Sequence, residues 1–247
     1  MYKGRKVAVV MPAYNAERTL RSTFDDVLAQ GVADLVVIVD DCSCDGTERV
    51  ARSLADSCGP VAVEYLRHQT NRGYGGNQKT CYRAALEKGA DIVVMVHPDC
   101  QYTPRLLIPM VSMIAEGLHP CVLESRILGG YALKGGMPLW KYVNNRWLTA
   151  VMNLLMGAKL SEYHTGYRAF SASLLRKLPL ERNSDDFAFD AQMIAEVLAS
   201  GATIGEVSCP TVYTAEASSI GFWRSCRYGF GCLGAALRYR FARKTLT

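Results

Sequence analysis

Short apolar runs alternate with helical patterns through the first half of the chain. The runs are rich in β-branched residues, which is typical of buried strands. The predicted strands are 7–11, 35–39, 61–66 and 92–96. The predicted helices are a segment following Asn15 as its N-cap region, then 47–55 and 78–88. Continuously apolar strands separated by helices predict an α/β fold, with a mostly parallel sheet covered by helices on both faces.

The pattern is less regular after about residue 125. Apolar residues at helical spacing predict a long helix over 139–160 and a second one over 189–199, and a late strand is predicted over 203–207. No internal repeat or low-complexity linker interrupts the chain. We therefore predict one domain over 1–220, followed by a basic, aromatic C-terminal segment over 221–247.

Polar clusters follow three of the predicted strands. Residues 12–15 follow the first strand, Asp40 and Asp41 end the second, and residues 97–101 follow the fourth. In parallel α/β sheets the ligand crevice lies beyond the carboxyl ends of the strands. The placement of these clusters therefore predicts a ligand site at that edge of the sheet.

Composition and charge narrow the class of protein. Hydrophobic residues make up 49% and charged residues 21% of the chain, which is typical of a globular protein. Nine cysteines form no CxxC pair, so we expect a reduced, intracellular protein rather than a disulfide or zinc protein. The sequence predicts no signal peptide and no membrane-spanning helix. The net charge of +5 is mild, but between Arg224 and Lys244 basic residues occur without any acid.

Two common phosphate-binding devices are absent from the sequence. No G-x-G-x-x-G follows the first strand, and no G-x-x-x-x-G-K-[ST] occurs, which argues against dinucleotide dehydrogenases and P-loop enzymes. The remaining way to bind a diphosphate is a carboxylate that holds a metal ion. Asp99, at a strand end, is a candidate ligand for a divalent cation that bridges phosphate oxygens.

Four motifs in order along the chain resemble family 2 glycosyltransferases of the GT-A fold. They are MPAYNAE at 11–17, VDDCSCDGT at 39–47, NRGYGGN at 71–77 and HPDCQYTP at 97–104. The segment HTGYRAF at 164–170 is similar to the dolichol-phosphate mannosyltransferase-like branch of that family. The resemblance covers about residues 5–215. It implies a nucleotide-diphosphate sugar donor (GDP-mannose or a UDP-hexose), a divalent cation (Mg²⁺ or Mn²⁺) and inverting transfer.

The resemblance also implies roles on the donor side. Pro12, Tyr14 and Glu17 would contact the nucleoside, and Asp41 would contact the base or the ribose. Asp99 falls where the family carries its metal-binding D-x-D. Gln101 would support the metal or the diphosphate.

On the acceptor side, the resemblance places Arg126 near the phosphates and matches Arg168 to the family's basic residue after the acceptor-side glycine. We expect both to hold the acceptor phosphate. The resemblance also matches Asp190 to an acidic residue that the branch carries at the start of a helix. Transfer to a sugar hydroxyl requires a general base, for which Asp185 and Asp186 are candidates. The alternative is that these carboxylates cap the helix. Transfer to a lipid phosphate requires no base, because a phosphate monoester is already anionic at neutral pH.

The chain departs from the family pattern in two places. His97 replaces the first carboxylate of the D-x-D, and neutral imidazole suits Mn²⁺ better than Mg²⁺. His97 is either a metal ligand or a residue packed at the strand end. A late Gly-x-Ser with nearby basic residues is replaced by residues 213–220, so the phosphate-facing charge is expected from Arg224, Arg227 or Arg126.

Two segments favour a lipid acceptor over a glycan. Residues 140–160 mix Trp, Met and Leu with basic residues, which is typical of an interfacial helix and equally of a core helix. The C-terminal segment mixes aromatic residues with arginines, which suits an anionic membrane surface, although a solvated cationic tail is the alternative. We therefore expect transfer to a polyprenyl phosphate by a protein held peripherally on the cytoplasmic membrane face. Transfer to a glycan hydroxyl and a non-catalytic scaffold are the alternatives. No nucleic-acid recognition module is present, and an oligomer is left open.

Overall fold

A computed structural model of the chain describes residues 1–57, 59–210 and 222–244. Seven strands form a single sheet in this structure. They are β1 (Val7–Ala13), β2 (Leu35–Asp40), β3 (Ala62–Arg67), β4 (Ile92–Met95), β5 (Cys121–Ser125), β6 (Arg168–Ser171) and β7 (Ile204–Ser208). Their order is β3-β2-β1-β4-β6-β5-β7. Among the described strands only β6 is antiparallel to its neighbours, which confirms the prediction of a mostly parallel sheet.

Helices cover both faces of the sheet, as predicted. They are α1 (Leu20–Ala29), α2 (Thr47–Ala55), α3 (Gly73–Glu87), α4 (Leu107–Ala115), α5 (Leu139–Met156), α6 (Ala172–Leu175), α7 (Phe189–Ala199) and α8 (Phe222–Lys244). Alternate side chains of β1 enter two separate cores, with Val7 and Val9 on one face and Ala8 and Val10 on the other. The first core includes α1, α2 and α4, and the second includes α3, α5, α7 and α8.

The start of α3 differs from the prediction. The helix begins at Gly73 rather than near residue 78, in spite of the low helix propensity of glycine. A Cβ on Gly75 would lie 2.3 Å from the carbonyl oxygen of Ser184. The backbone N–H of Gly75 donates to the carbonyl of Asp185 at 2.7 Å. The glycines therefore allow the segment that precedes α7 to lie directly on the first turn of α3.

The N-terminus of α1 also differs from the prediction. Its N-cap is Thr19, whereas Asn15 has a φ of 50° and belongs to the turn after β1.

The C-terminal helix α8 packs against α5 and α7. Cys232 and Ala236 of α8 are fully buried, whereas Phe230, Leu237 and Phe241 are exposed. The helix therefore contributes to the core and also presents apolar side chains on the outside. The division of the chain at residue 220 stays a prediction. None of the helices in the described residues combines the length and the apolar character needed to cross a membrane.

Candidate active site

The loops that follow β1, β2 and β4 meet at the carboxyl edge of the sheet. Each contains one non-glycine residue in the left-handed region, namely Asn15 (φ 50°), Cys42 (φ 61°) and Cys100 (φ 56°). Such residues are uncommon and concentrate at functional sites, where the surrounding structure holds the strain. Three of them at one edge support the site that the polar clusters predict.

Short polar side chains connect the loops after β1 and β2. Ser43 Oγ accepts a hydrogen bond from the Asn15 backbone N–H at 2.9 Å, and Asn15 Oδ1 accepts one from the Cys44 N–H at 3.0 Å. Thr47 Oγ1 accepts one from the Ala16 N–H at 2.7 Å. These bonds satisfy backbone donors that the irregular loops leave without ladder partners. They hold the two loops as one unit.

The predicted nucleoside contacts lie in this unit. Pro12 is buried in β1, and Tyr14 is exposed directly after it. The Glu17 carboxylate accepts hydrogen bonds from the Gly46 N–H at 3.0 Å and from Arg49 Nη2 at 2.7 Å, so Glu17 fixes the start of α2. Tyr14 is therefore the most exposed member of this set, and Glu17 is partly exposed. The contacts of all three with a nucleoside stay predictions.

Asp41 is buried among protein donors. Its carboxylate accepts hydrogen bonds from the backbone N–H groups of Arg72 at 2.8 Å and Gly73 at 3.0 Å, and it lies 2.6 Å from His68 Nδ1. The side chain thus joins the end of β2 to the first turn of α3. Its predicted contact with the base or ribose stays a prediction.

The metal motif occupies the turn after β4. Asp99 Oδ1 accepts a hydrogen bond from the Gln101 N–H at 3.0 Å, which closes a turn around the left-handed Cys100. Gln101 is buried, and Asp99 and His97 are half-buried. Burial lowers the pKa of His97 below its ordinary value, against the opposing effect of the carboxylates of Asp99 and Asp190. His97 is therefore a neutral imidazole at pH 7, the form that a metal requires.

The ring of His97 is held by residues from two other elements. Its Nε2 lies 3.0 Å from the Tyr74 hydroxyl, which donates a hydrogen bond to Asp190 Oδ2 at 2.8 Å. A Cβ on Gly166 would lie 2.4 Å from the same Nε2. The sequence assigned no role to Tyr74 or Gly166, although both stand inside motifs that resemble the family.

The residues at this turn fit a cation that takes further ligands from a diphosphate. Within the described residues, no three His, Cys, Asp or Glu side chains cluster so as to hold a metal by themselves. His97 and Asp99 supply one imidazole and one carboxylate, a donor set that suits Mn²⁺. The described part of the chain thus provides an incomplete shell, which phosphate oxygens and water would complete.

Asp190 and Arg168 form a buried network behind the turn. Asp190 is 5% exposed, and besides Tyr74 it accepts a hydrogen bond from Gln78 Nε2 at 3.2 Å. Arg168 is fully buried and donates to the carbonyl oxygens of Thr165 at 2.7 Å and Asp190 at 2.8 Å. This burial argues against direct contact of Arg168 with a phosphate, so its predicted grip stays a prediction without support from the geometry.

Arg126 directly follows β5 and pairs with Glu162, a buried acid that no sequence pattern indicated. Its Nε donates to Glu162 Oε1 at 2.9 Å, and its Nη2 donates to the carbonyl of His164. Nearby, burial raises the pKa of Glu124 to about 8, with a further rise from Glu162. Arg126 is thus buried and held in a defined orientation by Glu162, so its contact with a phosphate stays a prediction that, as for Arg168, the burial does not favour.

The candidate bases lie on the segment that precedes α7. Asp185 Oδ1 accepts a hydrogen bond from Lys79 Nζ at 2.8 Å, and the exposed Asp186 accepts one from the Phe187 N–H at 2.8 Å. The N-cap of α7 is Ala188, without a side-chain bond, so neither aspartate caps the helix. Asp186 as a base stays a prediction. Residues 213–220 and the side chains of Arg224 and Arg227 lie outside the described residues.

A set of exposed apolar side chains, the apolar surface, follows Arg126 along the chain. We define it as the exposed side chains of the loop after β5 and of one side of α5, namely Leu128, Tyr131, Leu133, Trp140, Val143 and Trp147. The opposite side of α5 is buried and includes Leu148 and Met152. The buried side of α5 therefore fits the interpretation as a core helix, and its exposed side fits the interpretation as an interfacial helix.

Comparison with known proteins identifies the family. The model of glycosyl transferase family 2 matches residues 8–179. The UDP-N-acetylglucosamine–dolichyl-phosphate N-acetylglucosaminyltransferase of Methanococcus voltae is 28% identical over 218 residues, which cover 84% of this chain and 86% of that protein. The undecaprenyl-phosphate mannosyltransferase of Micrococcus luteus is 26% identical over 204 residues, 82% of each chain.

Solved structures agree on the fold. Glucosyl-3-phosphoglycerate synthase from Mycobacterium tuberculosis, in complex with Mn²⁺, UDP and phosphoglyceric acid, superimposes with a TM-score of 0.70 at 19% identity. The match covers 96% of this chain and 79% of that one. Together with the sheet and the order of the motifs, these matches confirm the resemblance seen in the sequence: the chain belongs to glycosyl transferase family 2, has a GT-A-like fold and is a glycosyltransferase.

Proposed function

We propose that the protein transfers a sugar from a nucleotide-diphosphate donor to a polyprenyl phosphate, with inversion, at the cytoplasmic face of a membrane. The observation that carries this proposal is the pair His97 and Asp99, at the end of β4 beside the joined loops after β1 and β2. The names of the relatives from Methanococcus voltae and Micrococcus luteus support the acceptor class.

The donor side works through a cation held by Asp99 and His97. When bound, the cation neutralises the charge that develops on the departing nucleoside diphosphate. Asp99 Oδ1 accepts the Gln101 N–H, so the carboxylate keeps a constant orientation. Tyr14, Pro12 and Glu17 position the nucleoside with Asp41, and Gln101 supports the diphosphate.

The acceptor side favours an anion that needs no base. Asp190 is buried and accepts hydrogen bonds from Tyr74 and Gln78, so it is not available to remove a proton from an acceptor. A phosphate monoester is already nucleophilic at neutral pH. Arg126 neutralises this phosphate, and Arg168 contributes by holding Asp190 and the backbone before β6 in place.

The apolar surface supports a lipid acceptor and peripheral contact with a membrane. It starts two residues after Arg126, and Lys134, Lys141 and Arg146 lie among its apolar residues. Trp147 is 61% exposed. Aromatic and basic side chains together suit the boundary between acyl chains and anionic headgroups. A polyprenyl phosphate held there would present its phosphate next to Arg126.

A transfer assay tests the proposal. The full chain is incubated with undecaprenyl phosphate and, in turn, GDP-mannose, UDP-glucose and UDP-N-acetylglucosamine, with Mn²⁺ or Mg²⁺. We expect a lipid-linked sugar from one donor, and Asp99→Ala should lower the rate on the order of 100-fold or more. Full transfer by Asp99→Ala with the donor used by the wild type would contradict the proposal.

Transfer to a glycan hydroxyl is the second candidate, because Asp186 is exposed and close to the start of α7. Asp186→Asn separates the two reactions. It should abolish transfer to a hydroxyl, which needs a base, and change transfer to a phosphate only slightly.

A further inference from the structure

Tyr74 stands between the candidate metal ligand and a buried carboxylate. His97 follows β4, Tyr74 lies in the first turn of α3, and Asp190 lies in the first turn of α7. The rings of Tyr74 and His97 stack with centroids 5.3 Å apart, and Phe187 packs on Tyr74 with centroids 4.8 Å apart. The hydroxyl of Tyr74 is therefore held in one position by three separate elements.

The single hydrogen of this hydroxyl is committed to Asp190. The Tyr74 hydroxyl donates to Oδ2 of Asp190 at 2.8 Å. The other carboxylate oxygen, Oδ1, faces Gln78 Nε2 at 3.2 Å and Arg168 Nη1 at 3.4 Å, which are donors as well. Towards His97, 3.0 Å away, the tyrosine oxygen therefore acts as an acceptor, and His97 Nε2 is the donor.

This arrangement selects one tautomer of His97. An imidazole that binds a metal is neutral and carries one ring hydrogen. With that hydrogen on Nε2, the lone pair remains on Nδ1, the other ring nitrogen. Gly166 closes the Nε2 edge, because a Cβ there would lie 2.4 Å from Nε2 and 2.5 Å from Cδ2.

We propose that Tyr74 is a positioning residue that keeps the ring hydrogen of His97 on Nε2, so that Nδ1 becomes a nitrogen ligand of the cation. Metal-binding histidines commonly donate their second N–H to a carboxylate, and here Tyr74 transmits that bond to Asp190. A nitrogen ligand biases the site towards Mn²⁺ over Mg²⁺, which prefers oxygen. The cation preference rests on the proposed function, whereas the tautomer does not.

The tautomer is measured first, by ¹H–¹⁵N correlation of the histidine rings in the full chain without ligands. The chain has four histidines, and His97→Gln identifies the signals of His97. We expect the hydrogen on Nε2 in the wild type and a mixture of tautomers in Tyr74→Phe. A wild-type ring with its hydrogen on Nδ1 overturns the proposal, and so does an unchanged tautomer in Tyr74→Phe. A hydrogen on Nδ1 in the wild type overturns the proposal whether or not the variant folds.

Cation binding is measured next, by electron paramagnetic resonance of Mn²⁺ in the presence of GDP or UDP. Tyr74→Phe should weaken Mn²⁺ binding about 10-fold. The affinity for Mg²⁺, measured by its displacement of Mn²⁺, should stay unchanged. Tyr163→Phe is the matched control, because its hydroxyl bonds to Asn153 at 2.8 Å and not to His97. Equal weakening for both ions, or in the control, overturns the cation preference.

The two measurements separate this inference from the proposed function. A wild type that binds neither nucleoside diphosphate nor Mn²⁺ contradicts the proposed function and removes the cation preference. The spectrum of His97 still decides whether Tyr74 fixes the ring.

Discussion

The two sides of the carboxyl edge are held together by different interactions. On the donor side, Ser43, Thr47 and Asn15 satisfy backbone N–H groups through short, neutral hydrogen bonds. On the acceptor side, the loop after β5 and the start of β6 are held by buried ionic groups, Arg126 with Glu162 and Arg168 with Asp190. A neutral hydrogen bond contributes about 1 kcal/mol, whereas removing one partner of a buried ion pair costs about 3–5 kcal/mol.

This difference concerns how deeply the charged groups of the two sides are buried. On the acceptor side each of these buried arginines has a matched buried acid, Glu162 for Arg126 and Asp190 for Arg168. The donor side has ion pairs as well, Asp40 with the partly exposed Arg67 and Glu17 with the exposed Arg49, but they are less buried than those of the acceptor side. The acceptor side should therefore be more sensitive to loss of a single charged group.

The largest expected effect comes from Glu162→Gln. Glu162 is fully buried, and its removal leaves the Arg126 charge without its main partner, so the free energy of unfolding should fall by about 3–5 kcal/mol. Urea denaturation measures it. Glu181→Gln is the matched control, because Glu181 pairs with Arg83 on the surface, where such pairs contribute about 0–1 kcal/mol. Equal losses in the two variants would contradict the large contribution assigned to the buried pair of the acceptor side.

A pH-dependent effect should follow from Glu124. In the folded protein burial raises its pKa from 4.5 to about 8, so between these values the folded state holds a proton that the unfolded state has released. Its contribution to stability is present below about pH 4.5 and is lost as pH rises towards 8, on the order of a few kcal/mol. Denaturation at pH 5 and pH 8 should show a smaller decline in Glu124→Gln. An identical decline in both proteins would refute this assignment.

A smaller effect is expected for Thr47→Val on the donor side. The variant removes the acceptor of the buried Ala16 N–H, so the free energy of unfolding should fall by about 1–3 kcal/mol. The ion pairs of the acceptor side should be unaffected, so the effect should add to that of Glu162→Gln in the double variant. Strong non-additivity would mean that the two sides are not independent.

The smallest effect on stability is expected for Trp147→Ser, on the apolar surface. Because Trp147 is exposed, its replacement should change the free energy of unfolding by less than about 0.5 kcal/mol. Binding to vesicles that contain anionic lipid should nevertheless weaken, as sedimentation would measure. Ile108→Ser is the control, because Ile108 is an exposed apolar residue of α4, which packs on the other face of the sheet. Equal binding by both variants would argue against this membrane surface.

The first half of the fold was predictable because its strands are continuously apolar. The strands β5 and β6 were not, since β5 ends in Glu124 and Ser125 and β6 starts with Arg168. Buried polar residues break the apolar pattern, and their partners come from distant parts of the chain. Glu162 could not be selected as a site residue from the sequence, because its partner Arg126 is also distant along the chain.

The candidate site was partly predictable in the same way. Strand-end motifs located His97 and Asp99, but nothing local decided between a ligand and a packed role for His97. The contact that bears on that choice links His97 through Tyr74 to Asp190, which is remote in sequence. The glycines that permit the contact, Gly166 and Gly75, reveal their purpose only when the neighbouring backbone is in place.

Calorimetry of nucleotide binding tests the central claim most directly, namely that Asp99 and His97 form half of a cation site that the donor diphosphate completes. UDP and GDP are titrated into the wild type and into Asp99→Ala, with and without Mn²⁺. We expect one nucleotide to bind the wild type much more tightly with Mn²⁺, and Asp99→Ala to lose that gain. Binding that is independent of Mn²⁺, an undiminished gain in Asp99→Ala, or no binding at all, as for a non-catalytic scaffold, would contradict the account.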